Sequence, residues 1–460
     1  MDKGIVKSRV GRTPMIRAKK LEKKLDTGKI YLKLEGNNPS GHREDRLAYL
    51  IIRDALGRGK KTICMGTYGT LGGSLSYLSQ FFDVKLVFYV PNRNKVLRKD
   101  LMEDDRVELR EYGRTYEDCV MESRRVSKEN GWYNANPGRA NNIMNMYAFS
   151  YIAREIIQYM DGQLEDIYCQ TSSGASISGL HLGLKQLWVA EDIERIPKIN
   201  AVATSNGNAI VESFEKGKDQ IVELDKKKLK GTRTNRNTLN WKCFNGQDAL
   251  NSIYDTGGRA IGVSDEEVKK NAKLVRKLEK IRITAPSAYP IAAFIKDAEE
   301  GKINGGNHVI ILNDGRVGID IREMTKDDLN VSYDEFLDIL DDWLVQFSDP
   351  KEEMSEAVEN AFREGYVLCA FYQNELVGIT ILSRSHWDEF FPLYHLSYIA
   401  TKKGLKGMGI ATQLMEKAIE ITDGSLSLHV ETDNKRAIKL YEKMGLRKKY
   451  YRMIYKGAGE

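Results

Sequence analysis

Through the first two-thirds of the chain, short apolar runs of strand length alternate with stretches of helical periodicity. Residues 62–65 form such a run, followed by a Gly-rich turn and a helical pattern over 74–82. Residues 84–90 are a second run. Residues 166–170 are a third, followed by a Gly/Ser turn and a helix over 178–187, then a strand over 199–204. The run 308–312 ends in the turn Asn313-Asp314-Gly315-Arg316. Strand–helix alternation of this kind predicts a parallel α/β sheet with ligands at the C-terminal ends of its strands. The pattern changes near residues 314–318. An alternating strand over 319–324 opens a new unit, with helices over 333–346 and 349–363. Ser332 is the expected N-cap of the first helix, with Glu335 completing a capping box. A hairpin over 367–372 and 376–382 follows, then a strand (393–400), a helix (408–422), a strand (426–430) and a helix (434–444).

At 460 residues the chain is long enough for two or three domains. It contains no apolar run of membrane-spanning length, and its first residues carry no apolar signal-peptide stretch, so the expectation is a cytoplasmic protein without a membrane partner. A net charge of +6 suits an anionic ligand and is too small to argue for nucleic acid. The five cysteines are scattered with no CxxC pair, which predicts neither a disulfide framework nor a metal site; Cys64, Cys169 and Cys369 fall in apolar runs and are expected in the core.

Two Gly-rich turns each lead toward a helix, and such turns present free N–H groups at a positive dipole end. In Gly66–Gly73, Thr67, Gly69 and Thr70 are candidates for holding a carboxylate; in the second turn, Ser172, Ser173, Gly174 and Ser176 are candidates for a phosphate or another anion. Two readings stay open: retained ligand cradles, or turns kept for packing. The run Lys33-Leu34-Glu35-Gly36-Asn37-Asn38-Pro39-Ser40-Gly41-His42-Arg43-Glu44-Asp45-Arg46 resembles the signature of the fold-type II pyridoxal-phosphate (PLP) enzymes, the cysteine synthase and threonine synthase family. The opening Val10-Gly11-Arg12-Thr13-Pro14-Met15-Ile16-Arg17 is similar to the same family, and both Gly-rich turns sit where it has its substrate and phosphate loops. The resemblance implies a tryptophan-synthase-beta-like domain over residues 1–316. It also implies that the slot of the Schiff-base lysine is held by Glu44, that Thr70 replaces the Asn beside the PLP 3′-oxygen, and that the pyridine-nitrogen position falls in Asn313-Asp314-Gly315 without a clear equivalent. A carboxylate cannot form an imine, so the expectation is a degenerate domain without PLP chemistry. Glu44 then pairs either with the ammonium of a bound amino acid or with Arg46 or a nearby lysine.

Downstream, Ile399-Ala400-Thr401-Lys402-Lys403-Gly404-Leu405-Lys406-Gly407-Met408-Gly409-Ile410 joins a strand to a helix through glycines, a pattern that brings several backbone N–H groups to one point. Together with Val430-Glu431-Thr432-Asp433-Asn434 and Ala437, Leu440, Tyr441 and Gly445, it resembles the GNAT superfamily of N-acetyltransferases, over residues 318–460. The resemblance implies that Gly404, Gly407, Met408, Gly409 and Ile410 hold the coenzyme A pyrophosphate, with charge from Lys403 and Lys406. By the same resemblance, backbone groups of Ile399 and Ala400 meet the pantetheine and thioester, Asn434 binds the pantetheine arm or a water, and Tyr441 protonates the departing thiolate. The amine needs a base, for which His395 and Glu431 are the candidates. The expected protein is an α/β two-domain fusion: an acetyl-CoA-dependent N-acetyltransferase of a small amine or amino acid behind a degenerate synthase-like domain, with a homodimer implied through that domain. The alternatives are an N-terminal domain that senses an amino acid and controls acetylation of a protein, or a bifunctional enzyme with residual PLP chemistry.

Overall fold

The computed structural model describes residues 9–92, 105–160, 162–303, 305–372, 374–385, 392–403, 405 and 408–449. It divides into two compact units, with the main break between Gly318 and Ile319.

In the first unit the strands are β1 (Met15–Arg17), β2 (Lys29–Leu34), β3 (Thr62–Gly66), β4 (Lys85–Val90), β5 (Val107–Glu111), β6 (Tyr133–Asn134), β7 (Leu164–Gln170), β8 (Lys198–Thr204), β9 (Ala260–Val263), β10 (Ile281–Arg282), β11 (Asn307–Leu312) and β12 (Arg316–Val317). Its helices are α1 (Lys19–Leu25), α2 (Asp45–Gly57), α3 (Thr70–Ser79), α4 (Tyr116–Glu129), α5 (Asn142–Tyr159), α6 (Ala175–Val189), α7 (Ala209–Glu215), α8 (Gly246–Asp255), α9 (Asp265–Glu279) and α10 (Tyr289–Glu299). A six-stranded sheet runs β1-β2-β11-β7-β8-β9 and is parallel except for β1. A four-stranded parallel sheet runs β5-β4-β3-β6. The apolar runs that mark β4, β8 and β11 are buried along nearly their whole length, as parallel strands covered on both faces must be.

The loop between β2 and α2 is fastened by a buried ion network. Arg46 forks onto Glu35 (Nε–Oε2 2.7 Å, Nη2–Oε1 2.9 Å) and onto Glu155 of α5 (Nη1–Oε1 2.7 Å, Nη2–Oε2 2.8 Å). Lys33 donates to Glu155 Oε2 (2.7 Å), to the Thr13 carbonyl (2.6 Å) and to Thr13 Oγ1 (2.5 Å). Glu155 also accepts from the N–H groups of Arg12 and Thr13. Asn38 accepts from Gly11 N–H and donates to the Glu35 carbonyl, while Asp45 accepts from Ser40 N–H and its hydroxyl. The matching positions of the signature run are thus a scaffold that sets the path of the chain from Val10 to Arg46.

In the second unit a five-stranded sheet runs β13 (Asp320–Met324), β14 (Tyr366–Tyr372), β15 (Glu375–Arg384), β16 (Tyr394–Thr401) and β17 (Leu426–Leu428). It is antiparallel up to β16, and β17 joins in parallel. Helices α11 (Tyr333–Leu344) and α12 (Lys351–Glu364) pack with Val367, Cys369, Ile379, Ile381, Tyr398 and Ala400. Ser332 caps α11 through Glu335 N–H. Helix α13 (Ile410–Ile421) covers the other face, where a Cβ on Gly378 would stand 2.8 Å from both Ile410 and Leu414. Helix α14 (Lys435–Met444) follows β17. Helix α13 starts at Ile410 rather than at residue 408, because Gly409 takes φ +73°, outside helical space. No helix among the described residues is long and apolar enough to cross a membrane.

Burial alone would raise Glu155 and Glu35, but Arg46 and Lys33 outweigh it and hold both carboxyls below the usual range. A depressed carboxyl contributes stability that is present above its unfolded pKa, about 4.3, and lost as pH falls through the folded value. The thermal midpoint is therefore expected to hold from neutrality to about pH 5 and drop below about pH 4. Arg46→Ala, leaving two buried carboxylates without their fork, should cost about 3–5 kcal/mol at neutral pH in urea unfolding.

Candidate functional site

At the C-terminal end of β7 the chain turns through Thr171-Ser172-Ser173-Gly174 into α6. Among the described residues the N–H groups of residues 173–176 meet no protein acceptor, whereas Ile177 and Ser178 already donate to the Gly174 carbonyl. They are the orphan donors of a helix start, an arrangement that favours an anion. Ser172 Oγ is committed to Asn240 Oδ1 (2.9 Å), Ser173 accepts from Asn245 N–H (2.8 Å) and Ser176 Oγ donates to the Gln170 carbonyl (3.1 Å). Gly174 sits at φ +108° with the Asn245 carbonyl oxygen inside clash distance of any Cβ. The other turn, before α3, is pinned by Thr67, whose buried hydroxyl accepts from Gly69 N–H (2.9 Å); Thr70 opens the helix.

Glu44 stands at the start of α2, and its Oε1 lies 3.3 Å from Arg43 Nη2. The expected pairing with Arg46 or a lysine is not what forms, because Arg46 is held by Glu35 and Glu155. Buried Arg43, unremarked in the sequence, donates from Nη1 to the Gln170 carbonyl (3.3 Å), the same oxygen that takes the Ser176 hydroxyl. Glu44, Arg43, Gln170 and Ser176 therefore form one linked set, and it contains no lysine. Nearby Lys33 is spent on Thr13 and Glu155. Several buried atoms around the set meet no protein partner: Glu44 Oε2, Arg43 Nε, Gln170 Oε1, Thr171 Oγ1 and Asn313 Oδ1. Asn313 is tied to the set by its carbonyl, which accepts from Arg43 N–H (3.2 Å).

In the second unit β16 pairs with β15 along its length, with an irregularity that leaves Ser397 out of register. On its other side it pairs with β17 only from Tyr394 to Leu396. Beyond Leu396 the two strands part, and on that edge Ile399 and Ala400 have no ladder partner among the described residues. The first N–H groups of α13 lack intrahelical acceptors. Tyr441 of α14 is buried, and burial pushes its phenol up to about 12. Asn434 N-caps α14, accepting from Ala437 N–H (3.0 Å), so its side-chain oxygen is engaged in the fold. His395 Nδ1 lies 3.0 Å from Ser427 Oγ, and its ring centroid lies 4.7 Å from that of His429. Ser427 and His429 alternate on the chain that pairs with β16, a period-2 signal that would have found His429 from sequence. Glu431, expected at a strand end, is exposed and lies past β17, which stops at Leu428. Lys403 is exposed and paired with Asp342 at 2.6 Å. Gly404, Lys406 and Gly407 lie outside the described residues; Met408 and Gly409 lead directly into Ile410 at the start of α13.

Fold and sites together define a parallel α/β unit joined to a mixed sheet whose last two strands pair over only three residues. The chain belongs to the pyridoxal-phosphate dependent enzyme family, whose model matches residues 6–315. Residues 333–446 match the acetyltransferase (GNAT) family and form a GNAT domain. Threonine synthase of Methanocaldococcus jannaschii is 26% identical over 308 residues, covering 66% of this chain and 74% of that protein. Cysteine synthase 1 of Emericella nidulans is 25% identical over 318 residues, covering 66% and 80%. Among solved structures, maize serine racemase superposes with a TM-score of 0.55 at 17% identity, covering 68% of this chain and 94% of that one. O-ureido-L-serine synthase gives 0.52 at 17%, covering 67% and 90%. At such identities the structures show the fold of the first unit alone; the fusion to a GNAT domain rests on the second family match.

Gly174→Ala should force the Asn245 carbonyl aside and strain a left-handed position, costing more than about 2 kcal/mol in chemical denaturation. Gly217→Ala, also at positive φ (+59°) but in open space, should cost only about 1 kcal/mol and serves as the control.

Proposed function

We propose that the chain is an acetyl-CoA-dependent N-acetyltransferase whose acceptor is a small amine, an amino acid or a related metabolite. The observation that carries this reading is the end of β16–β17 pairing at Leu396, with buried Tyr441 on the helix that follows β17, in the region that matches the GNAT family. A strand edge with free N–H groups can hold an amide-bearing arm in ladder fashion and polarise a thioester carbonyl where oxyanion charge develops. The neutral amine nitrogen attacks that carbonyl carbon, the C–N bond forms and the C–S bond breaks. The amine's proton leaves to a base, and the thiolate takes one from the Tyr441 phenol. A phenol held near 12 stays protonated through the neutral range, as a donor must. His395 suits the base better than Glu431, since it sits on β16 itself while Glu431 is exposed beyond β17.

On this reading the first unit runs no PLP chemistry, since position 44 offers a carboxylate where an imine needs an amine. An amino-acid-binding fold joined to an acetyltransferase raises the local concentration of the acceptor. The reading includes a homodimer through the first unit, supported by Ile143, Tyr147 and Tyr151, which lie at helical spacing on α5 and are exposed.

Full-length protein with acetyl-CoA and a panel of amino acids, polyamines and peptides should release free thiol with at least one small amine. Absence of release with every small amine overturns the reading. Tyr441→Phe should lower kcat about a hundredfold with little change in KM for acetyl-CoA. Unchanged turnover in that variant would remove Tyr441 from the chemistry.

A further inference from the structure

We propose that Ser427 positions the base of the transferase: its hydroxyl holds His395 with the hydrogen on Nδ1, so that Nε2 takes the proton of an amine arriving on the α12 face of the sheet. Where His395 faces follows from the register. Tyr398 and Ala400 pack with α11 and α12. Plain alternation would turn His395, an odd number of positions from both, to the opposite face. The irregularity in β16 gives it one extra residue, Ser397, since Ile381 pairs with Tyr398 and Leu382 with Leu396. A bulge of this kind re-aims the side chains beyond it. His395 therefore stands opposite Ser383, whose Oγ donates to the Ala357 carbonyl of α12 (3.1 Å), and directly opposed residues share a face. Ser397 Oγ lies 2.8 Å from Ser383 Oγ on that same side.

On its other side His395 pairs with Ser427, one step before the β16–β17 ladder ends at Leu396 and Leu428. His395 Nδ1 lies 3.0 Å from Ser427 Oγ, and that hydroxyl has a second neighbour, the Tyr394 carbonyl oxygen, at 3.4 Å. A carbonyl can only accept, so it takes the one hydroxyl hydrogen, and the serine oxygen accepts from Nδ1–H. The lone pair of the ring then falls on Nε2. As the new C–N bond forms, the amine's proton passes to Nε2, and the imidazolium so made already has its Nδ1–H satisfied. His429 is the rival base, with its ring centroid 4.7 Å from that of His395. It is exposed and stands one residue past the ladder, whereas His395 is set within it opposite a hydroxyl. This inference rests on the reading of the second unit as an N-acetyltransferase.

Nitrogen-15 NMR of the full-length protein, labelled in its histidine rings and with His395→Gln to assign the signal, reads the tautomer without any turnover. His395 is expected as Nδ1–H; Ser427→Ala should release it to a mixture of tautomers, and Ser427→Thr, which keeps the hydroxyl, should hold Nδ1–H. Thiol release from acetyl-CoA is then measured with amino acids, polyamines and peptides as acceptors. His395→Gln should lower kcat about a hundredfold, and Ser427→Ala at least about tenfold with KM for acetyl-CoA unchanged. Ser427→Thr should recover most of that loss, and His429→Gln should stay within about threefold of the unaltered protein. An Nε2–H tautomer for His395, a tautomer or a turnover indifferent to Ser427→Ala, or a loss in His429→Gln as large as in His395→Gln each overturns the proposal. Absence of thiol release by the unaltered protein with every acceptor instead overturns the reading beneath it, and the proposal falls with that reading.

Discussion

The path of the chain from Val10 to the start of α2 depends on one guanidinium. Arg46 holds two carboxylates from different elements, Glu35 beside β2 and Glu155 in α5, and Lys33 closes the ring through Thr13. Buried ion pairs contribute little net stability compared with an apolar core, but breaking one is severe, because the remaining charge has no solvent. Their value here is direction: the network fixes where α2 starts, and therefore where Arg43 and Glu44 point. A loop of this length held by apolar contacts alone would have several near-equal arrangements.

That division of labour explains how the signature run reads. Lys33, Glu35, Asn38, Asp45 and Arg46 match the synthase pattern because they build the loop, and the loop is still needed. Glu44 stands outside that network, at the N-cap of α2 with Arg43 as its partner. A carboxylate at this position suits the fold, since Glu44 opens a helix, where negative charge is favourable.

The order of elements in the second unit was legible from apolar spacing, and in the first so were β3, β4, β7, β8 and β11, because periodicity is local. What escaped was long-range. Nothing near Arg46 in the chain announces Glu155, more than a hundred positions away. Arg43 looked like any helix-leading basic residue until its partner turned out to be a carbonyl of β7. Strand β17 is shorter than its apolar run because a strand lasts only as long as its neighbour stays alongside, and its pairing with β16 ends at Leu396. The N-cap role of Asn434 was hidden for a related reason: an Asn before a helix serves either the backbone or a ligand, and only geometry tells which.

The split between β16 and β17 has a consequence for kinetic order. Helix α13 lies on one face of the sheet, and Tyr398 and Ala400 pack with α11 and α12 on the other. A gap between strands is a window through the sheet, so a thioester seated along the strand edge is open to attack from the far side. Donor and acceptor then need not take turns on one surface. All the cysteines of the chain are buried, which leaves no accessible thiol to carry the acyl group between them. On the proposed reading, acetyl transfer through such a window would be a direct, ternary-complex event, with both reactants aboard before either product leaves.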